Sequence, residues 1–385
     1  MTVSVNWSYP TAVRFGAGRI AEIGEACRAS GITRPLLITD RGLANLEITT
    51  ATLDRIDAEG LGRALFSDVD PNPTDENLAA GIDIFSKGDF DGVIAFGGGS
   101  ALDLAKLVAF QAGQTRPVWD FEDIGDYWTR ADADAIKPII AVPTTAGTGS
   151  EVGRAGVLTD TTEEVKKVIF HPKMLPAVVI CDPELTVGLP PLMTAGTGLD
   201  AFIHCLEAYC APSYHPMSEG IAIEGMRLVK DYLPRAYADG SDLEARGHML
   251  SAAAMGAVAF QKGLGGIHAL SHPTGALYHT HHGLTNAVYM PYVLAFNRVS
   301  VADKLDRLAA WLGIAGGCNG FLDFVLRFRA DLGIVNTTKE LGVDDRQFAR
   351  MAKMAVVDPT AGGNPLPLTE DICEKLYQAA FKGRL

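Results

Sequence analysis

The six cysteines of this 385-residue chain (Cys27, Cys181, Cys205, Cys210, Cys318 and Cys373) are scattered, with no CxxC pair. That spacing argues against a disulfide framework and suits reduced thiols in a cytoplasmic setting. No run of 18 or more apolar residues is present, which speaks against a membrane-spanning helix. The first residues, MTVSVNWSYPTAVRFG, carry neither a basic region nor an apolar one, so no signal peptide is expected. Base is in short supply: 33 Lys and Arg face 46 Asp and Glu, a formal net charge of -13. Nucleic acid and anionic membrane are therefore excluded as principal partners. Charge blocks, low-complexity tracts and internal repeats are also missing. What remains is a 48% hydrophobic chain long enough for two domains.

The first half alternates strand-like and helical patterns. LLITD (Leu36 to Asp40) reads as a short buried strand, preceded by helical periodicity over Gly18 to Ser30 that ends at Gly31. In DPNPTDENLAAG, Thr74 is placed as an N-cap with Asn77 three residues on. FDGVIAFGGGSALDLAKLVAF then gives a strand over Val93 to Phe96, a turn of Gly97, Gly98 and Gly99, and a helix from Ser100 to Phe110. A helix N-terminus presents unpaired N–H groups, and glycines let a diphosphate approach them closely. The turn also reads as nothing more than a tight strand-to-helix connection, and it is not the GxGxxG fingerprint of an ordinary Rossmann fold. Asp40 is placed either to accept from a ribose hydroxyl or to cap a helix. A further strand, Ile139 to Val142, leads into a turn rich in hydroxyls: Thr144, Thr145, Thr148 and Ser150. AVVICDPELTVGLP supplies one more strand.

Beyond about residue 187 the strand pattern stops and every periodic segment is helical. The division expected is an α/β domain over residues 1–186 and an all-helical domain over residues 187–385. Leu312-Gly313 and Leu332-Gly333 read as helix C-termini. The helical half carries the strongest chemical signal. Asp200 and His204 lie four apart in GLDAFIHCLEAY, His268 and His272 repeat that spacing in GLGGIHALSHPTGA, and His282 follows in HTHHG. Residues four apart share a helix face. Three neutral imidazole nitrogens and one carboxylate drawn from this group would give a divalent cation a four-ligand shell with room for substrate. Cys205 and Cys210, beside this helix, read as small apolar fillers.

The order GGGSALDLAK, PTTAGTGSEV, DPELTVGLP, GLDAFIHCLEAY and HALSHPTGALYHTHHG resembles the iron-containing (group III) alcohol dehydrogenase family across essentially the whole chain. The resemblance implies a dehydroquinate-synthase-like fold, with an α/β nucleotide-binding domain and an all-α metal-binding domain. It implies that Asp200, His204, His268 and His282 hold Fe(II) or Zn(II), leaving His272 as a nearby non-ligand, a hydrogen-bonding or proton-relaying histidine and the candidate catalytic one. For NAD it implies Gly97, Gly98, Gly99 and Ser100 around the diphosphate, with Asp103 just inside the helix. Thr144, Thr145 and Thr148 would line the nicotinamide side, Lys166 would be a further cofactor contact, and Asp40 would hold the adenosine ribose. A carboxylate there would favour NAD over NADP.

The activity so implied is interconversion of a small primary alcohol, hydroxy acids included, with its aldehyde. A metal would acidify the hydroxyl, and a hydride would pass to the nicotinamide. A cytoplasmic homo-oligomer, a dimer, is the expected form. The competing class is a metal-dependent lyase, or a phosphorylated-polyol dehydrogenase of the related dehydroquinate-synthase and glycerol dehydrogenase group. Two basic residues, Arg154 and Lys262, depart from the family pattern. If they face the substrate, they would select an anionic tail.

Overall fold

The computed structural model describes residues 11–385; the N-terminal stretch read above for targeting lies, up to Pro10, outside them. The described residues divide into two compact units. One runs up to Thr145 and includes Gly149–Gly188, and the other joins Ala146–Thr148 to Leu189–Leu385.

The first unit is built on strands β1 (Ala12–Phe15), β2 (Pro35–Ile38), β3 (Leu65–Phe66), β4 (Gly92–Gly97), β5 (Ile139–Pro143), β6 (Ala155–Asp160), β7 (Val165–Phe170) and β8 (Val178–Cys181). Six form one sheet in the order β1-β8-β5-β4-β2-β3, and every pairing in it is parallel. PLLI, GVIAFG, IIAVP and VVIC are buried at every position. Strands apolar on both faces belong inside a parallel sheet covered by helices on each side. The covering helices are α1 (Ile23–Ala29), α2 (Glu47–Ala58), α3 (Asp75–Lys87) and α4 (Gly99–Gln111). Thr74 caps α3 in a full capping box with Asn77. The segment Gly18 to Ser30 is not one helix: a 3-10 turn over Arg19–Glu22 precedes α1.

Two features escape the sequence reading. Strand β1 is a sheet edge with an exposed, non-alternating pattern, so no apolar run marks it. Strands β6 and β7 form a separate two-stranded sheet, antiparallel from Ala155 opposite Phe170 to Asp160 opposite Val165. Their lysines and threonine dilute the hydrophobic signal that a buried strand would give.

In the second unit, α5 (Pro191–Cys210) is buried over nearly its whole length from Thr194 on. A helix apolar on all sides is a core helix. Around it lie α6 (Pro216–Ala238), α7 (Leu243–Ala259), α8 (Gly266–Tyr278) and α9 (His282–Trp311), followed by α10 (Gly317–Asp331), α11 (Phe348–Val357) and α12 (Glu370–Lys382). Lys262 is turned into the helical unit. It is 6% exposed, and its Nζ donates to the carbonyls of Ala208, Tyr209 and Ala211 at 3.0, 3.1 and 2.6 Å. It also pairs with Glu219 at 3.0 Å. The last carbonyls of α5 have no partner within the helix, and a cation there satisfies them and the negative end of the helix dipole. His279 and His281, in the α8–α9 turn, also sit at helix ends. His279 ends α8 in the left-handed conformation, and Nδ1 of His281 accepts from the Leu284 amide at the start of α9.

Candidate metal centre and nucleotide turn

Helix geometry gathers the acid and the imidazoles. On α5, Asp200 and His204 share one face, and His268 and His272 do the same on α8. His282 is the first residue of α9. The N-terminus of α9 reaches Asp200 because residue 283 is glycine: a Cβ there would lie 2.3 Å from the Gly196 carbonyl oxygen. The candidate ligand atoms of Asp200, His204, His268 and His282 all fall within 4.8 Å of one another. Oδ1 of Asp200 lies 3.9, 3.8 and 3.6 Å from Nε2 of His204, His268 and His282. These separations exceed a hydrogen bond, whereas ligands around one tetrahedral cation lie about 3.4 Å apart.

The charges agree with that use. Asp200, His204 and His268 are buried and His282 is partly exposed. Burial alone would raise the Asp200 carboxyl, but the three imidazoles and the Asn286 amide hold it well below the usual carboxylate range. Burial pushes the His204 imidazole down to about 4, so it stays neutral with a lone pair to give. Burial also acts to lower His268, and the Glu207 carboxylate overrides it upward. Glu207 Oε2 lies 2.6 Å from His268 Nδ1, and Oε1 accepts from the Ile267 amide at 2.6 Å. With Nδ1–H committed to a carboxylate, the free lone pair of His268 is on Nε2, which faces Asp200. A donor set of three imidazoles and one carboxylate, with one imidazole braced in this way, fits Fe(II) or Zn(II).

His272 is set apart from the ligand group in a different way. Its ring stacks on His282 at 5.6 Å and 13°, and its Nδ1 lies 2.8 Å from Asp358 Oδ2. Burial would raise the Asp358 carboxyl, yet His272 and Thr360 hold it below its ordinary range. Sequence reasoning missed Glu207, Asn286 and Asp358. Glu207 had a signal, an acid three residues after His204 on the same apolar helix. Asn286, four residues after His282, had the same spacing signal. Asp358 had none, being 86 residues from His272 and outside any helix.

In the first unit Asp40, the turn at residues 97–100, and Thr144 and Thr145 follow the C-terminal ends of three neighbouring strands, β2, β4 and β5, where open α/β sheets bind ligands. Lys166 instead lies within β7. Gly97 has φ 145° and would bring a Cβ within 2.8 Å of the Ala101 Cβ, so only glycine makes this turn. Gly97, Gly98, Gly99 and Ser100 therefore lead directly into the N-terminus of α4. Thr144 donates its amide to the Gly97 carbonyl at 2.9 Å, which brings the hydroxyl turn beside the glycine turn. Thr145 would be 3.3 Å from a Cβ on Gly98. Thr148 groups with the helical unit instead.

Other side chains of this group are engaged inside the unit. Asp103 accepts from the Ser150 hydroxyl and from the Val157 amide at 3.1 Å, and lies 3.2 Å from Lys106 Nζ. Lys166 donates to Asn72 at 2.7 Å. Asp40 Oδ1 accepts from the amides of Gly42 and Leu43 at 2.8 and 3.0 Å, the capping alternative raised by the sequence. Arg154 lies 5.3 Å over the Phe170 ring.

Comparison with known proteins gives the same class. The model of the iron-containing alcohol dehydrogenase family matches residues 10–183, and that of its C-terminal domain matches residues 194–381. The chain is 37% identical to the 4-hydroxybutyrate dehydrogenase of Cupriavidus necator, over 93% of this chain and 94% of that one. It is 33% identical to the NAD-dependent methanol dehydrogenase of Bacillus methanolicus, over 97% and 99%. Among solved structures, a 1,3-propanediol oxidoreductase superposes with a TM-score of 0.93 at 34% identity, over 98% of this chain and 100% of that one. The chain belongs to the iron-containing alcohol dehydrogenase family. It is an oxidoreductase of the NAD-linked, metal-dependent type within it.

Proposed function

We propose that the chain interconverts a small primary alcohol and its aldehyde with NAD as hydride carrier, and that Asp200, His204, His268 and His282 hold the metal, Fe(II) or Zn(II). The observation that carries this is the convergence of one ionised carboxylate oxygen and three imidazole nitrogens within 4.8 Å. When bound, such a metal supplies Lewis acidity at the alcohol oxygen. The protein's part is to orient and to move a proton. His272, with Nδ1 donating to Asp358, keeps a lone pair on Nε2 to take the hydroxyl proton.

For NAD, the backbone of Gly97, Gly98, Gly99 and Ser100 at the positive end of α4 suits the diphosphate. Thr144, Thr145 and Thr148 suit the nicotinamide and its ribose, Asp103 and Lys166 are further cofactor positions in this reading, and Asp40 suits the adenosine ribose. A cytoplasmic homodimer is part of this reading; the six cysteines, all free and buried, are compatible with a reducing compartment. The name of the Cupriavidus necator relative supports including hydroxy acids among the substrates; Lys262 lends that no support.

The test is elemental analysis of the purified protein alongside absorbance at 340 nm. The panel is C2 to C6 alcohols, diols and hydroxy acids with NAD and NADP, after reconstitution with Fe(II) or Zn(II). About one metal per chain and NAD-linked turnover are expected. Metal-independent turnover would overturn the ligand assignment.

A further inference from the structure

Among the described residues, the side chain that touches most of the candidate ligands is not itself one of them. Asn286 is fully buried on α9, four residues after His282 and so on the same helix face. Its Nδ2 donates to Asp200 Oδ1 at 2.8 Å and lies 3.2 Å from His268 Nε2 and 3.1 Å from His282 Nε2. The orientation of the amide is fixed by chemistry. Turned over, its carbonyl oxygen would sit against the Asp200 carboxylate, two acceptors at hydrogen-bond distance. The carbonyl edge, Oδ1, has no hydrogen-bond partner, so only the N–H edge holds the side chain in place.

We infer that Asn286 is a positioning residue for the metal centre, resting on the ligand assignment proposed above. It fixes which oxygen of Asp200 faces the three imidazoles. A carboxylate oxygen has two lone pairs. Asn286 occupies one on Oδ1 and leaves the other directed among His204, His268 and His282. When the imidazole lone pairs serve a metal, Asp200 is the one acceptor left to the amide among these groups. The carboxylate is then held to one rotamer and one binding oxygen. Outer partners of this kind govern metal affinity and geometry without touching the metal.

The probe is Co(II), whose visible bands report coordination geometry. Wild type and Asn286→Leu, which keeps the bulk and removes the donor, are stripped of metal and titrated with Co(II) against a chromophoric chelator. The Leu variant is expected to bind Co(II) about 10–100-fold more weakly and to show bands shifted in position or intensity. Asn286→Ala, if the Leu side chain prevents folding, is expected to give the same two changes. Wild-type affinity and band shape in either folded variant would overturn the role of Asn286 while leaving the ligand assignment standing. Failure of the wild type to bind Co(II) would overturn the ligand assignment and this role with it.

Discussion

The two units prepare their sites with different parts of the chain. In the helical unit the candidate site is made of side chains, and further side chains brace them: Glu207 on His268, Asp358 on His272, Asn286 on Asp200. In the α/β unit the diphosphate part of the candidate site is made of backbone. Its glycine turn leads into a helix N-terminus, and side chains such as Asp103 and Lys166 spend their hydrogen bonds on neighbouring loops. A side-chain site fails when one group is cut away, whereas a backbone site tolerates side-chain loss and fails when bulk is added.

The sharpest break of this contrast is His268→Ala. Removing one of four donors should abolish turnover and lower bound metal to less than about one tenth per chain, as read by elemental analysis. Retained metal and activity would take His268 out of the site. His272→Ala should keep the metal and lower kcat by about 10²–10⁴-fold, the usual worth of a positioned acid or base. Loss of metal in parallel would make His272 a ligand.

The legibility of the two sites follows from the same contrast. The grouping of Asp200, His204, His268 and His282 was half readable. Two pairs of rare residue types recur at helical spacing, while the preference for His282 over His272 came only from the family resemblance. The hydrophobic runs of β2, β4, β5 and β8 were plain. The hairpin of β6 and β7 was not, because a half-exposed pair carries no apolar run. Of the bracing residues, Asp358 was hidden for another reason. Asp358 meets His272 only through the packing of α11 against α8, and tertiary proximity of that kind leaves no mark in local spacing. Lys262 was misread for the converse reason: a charge at the end of one helix was capping another.

Two buried glutamates put the contrast in energetic terms. Glu151, in the α/β unit, is 2% exposed with Oε1 unpartnered, and burial lifts its carboxyl from 4.5 to about 7. Below about pH 4.5 both folded and unfolded chains carry the proton. Between there and about 7 the unfolded chain releases it first, so stability falls as pH rises. The full cost, reached above about 7, is about 3 kcal/mol. Urea midpoints of wild type and Glu151→Gln should therefore diverge from pH 4.5 to 8, with the variant gaining relative to wild type. Parallel curves would mean that Glu151 is partnered in solution. Glu207, by contrast, accepts from two donors. Glu207→Gln presents an amide N–H to His268 Nδ1, moves that ring's proton to Nε2, and should weaken metal binding about 10–100-fold. Unchanged affinity would show that Glu207 serves only the Ile267 amide.

The smallest effect tests a charged side chain of the α/β site. Asp40 does two things with one carboxylate. Oδ1 holds the turn through the amides of Gly42 and Leu43, and its charge would oppose a 2′-phosphate at the adenosine ribose. Asp40→Gly removes both and Asp40→Asn removes only the charge, because an amide oxygen still accepts from the two backbone N–H groups. A unit charge about 6 Å from one phosphate charge, at an effective dielectric of about 40, is worth about 1.4 kcal/mol, roughly tenfold in affinity. Dissociation constants for NAD and NADP, measured by quenching of protein fluorescence, should show a wild-type preference for NAD. That preference should narrow about tenfold in Asp40→Asn. Asp40→Gly should narrow it similarly while weakening both cofactors, through loss of the turn. A wild type that prefers NADP, or an Asp40→Asn that leaves the ratio unmoved, would reduce Asp40 to a cap.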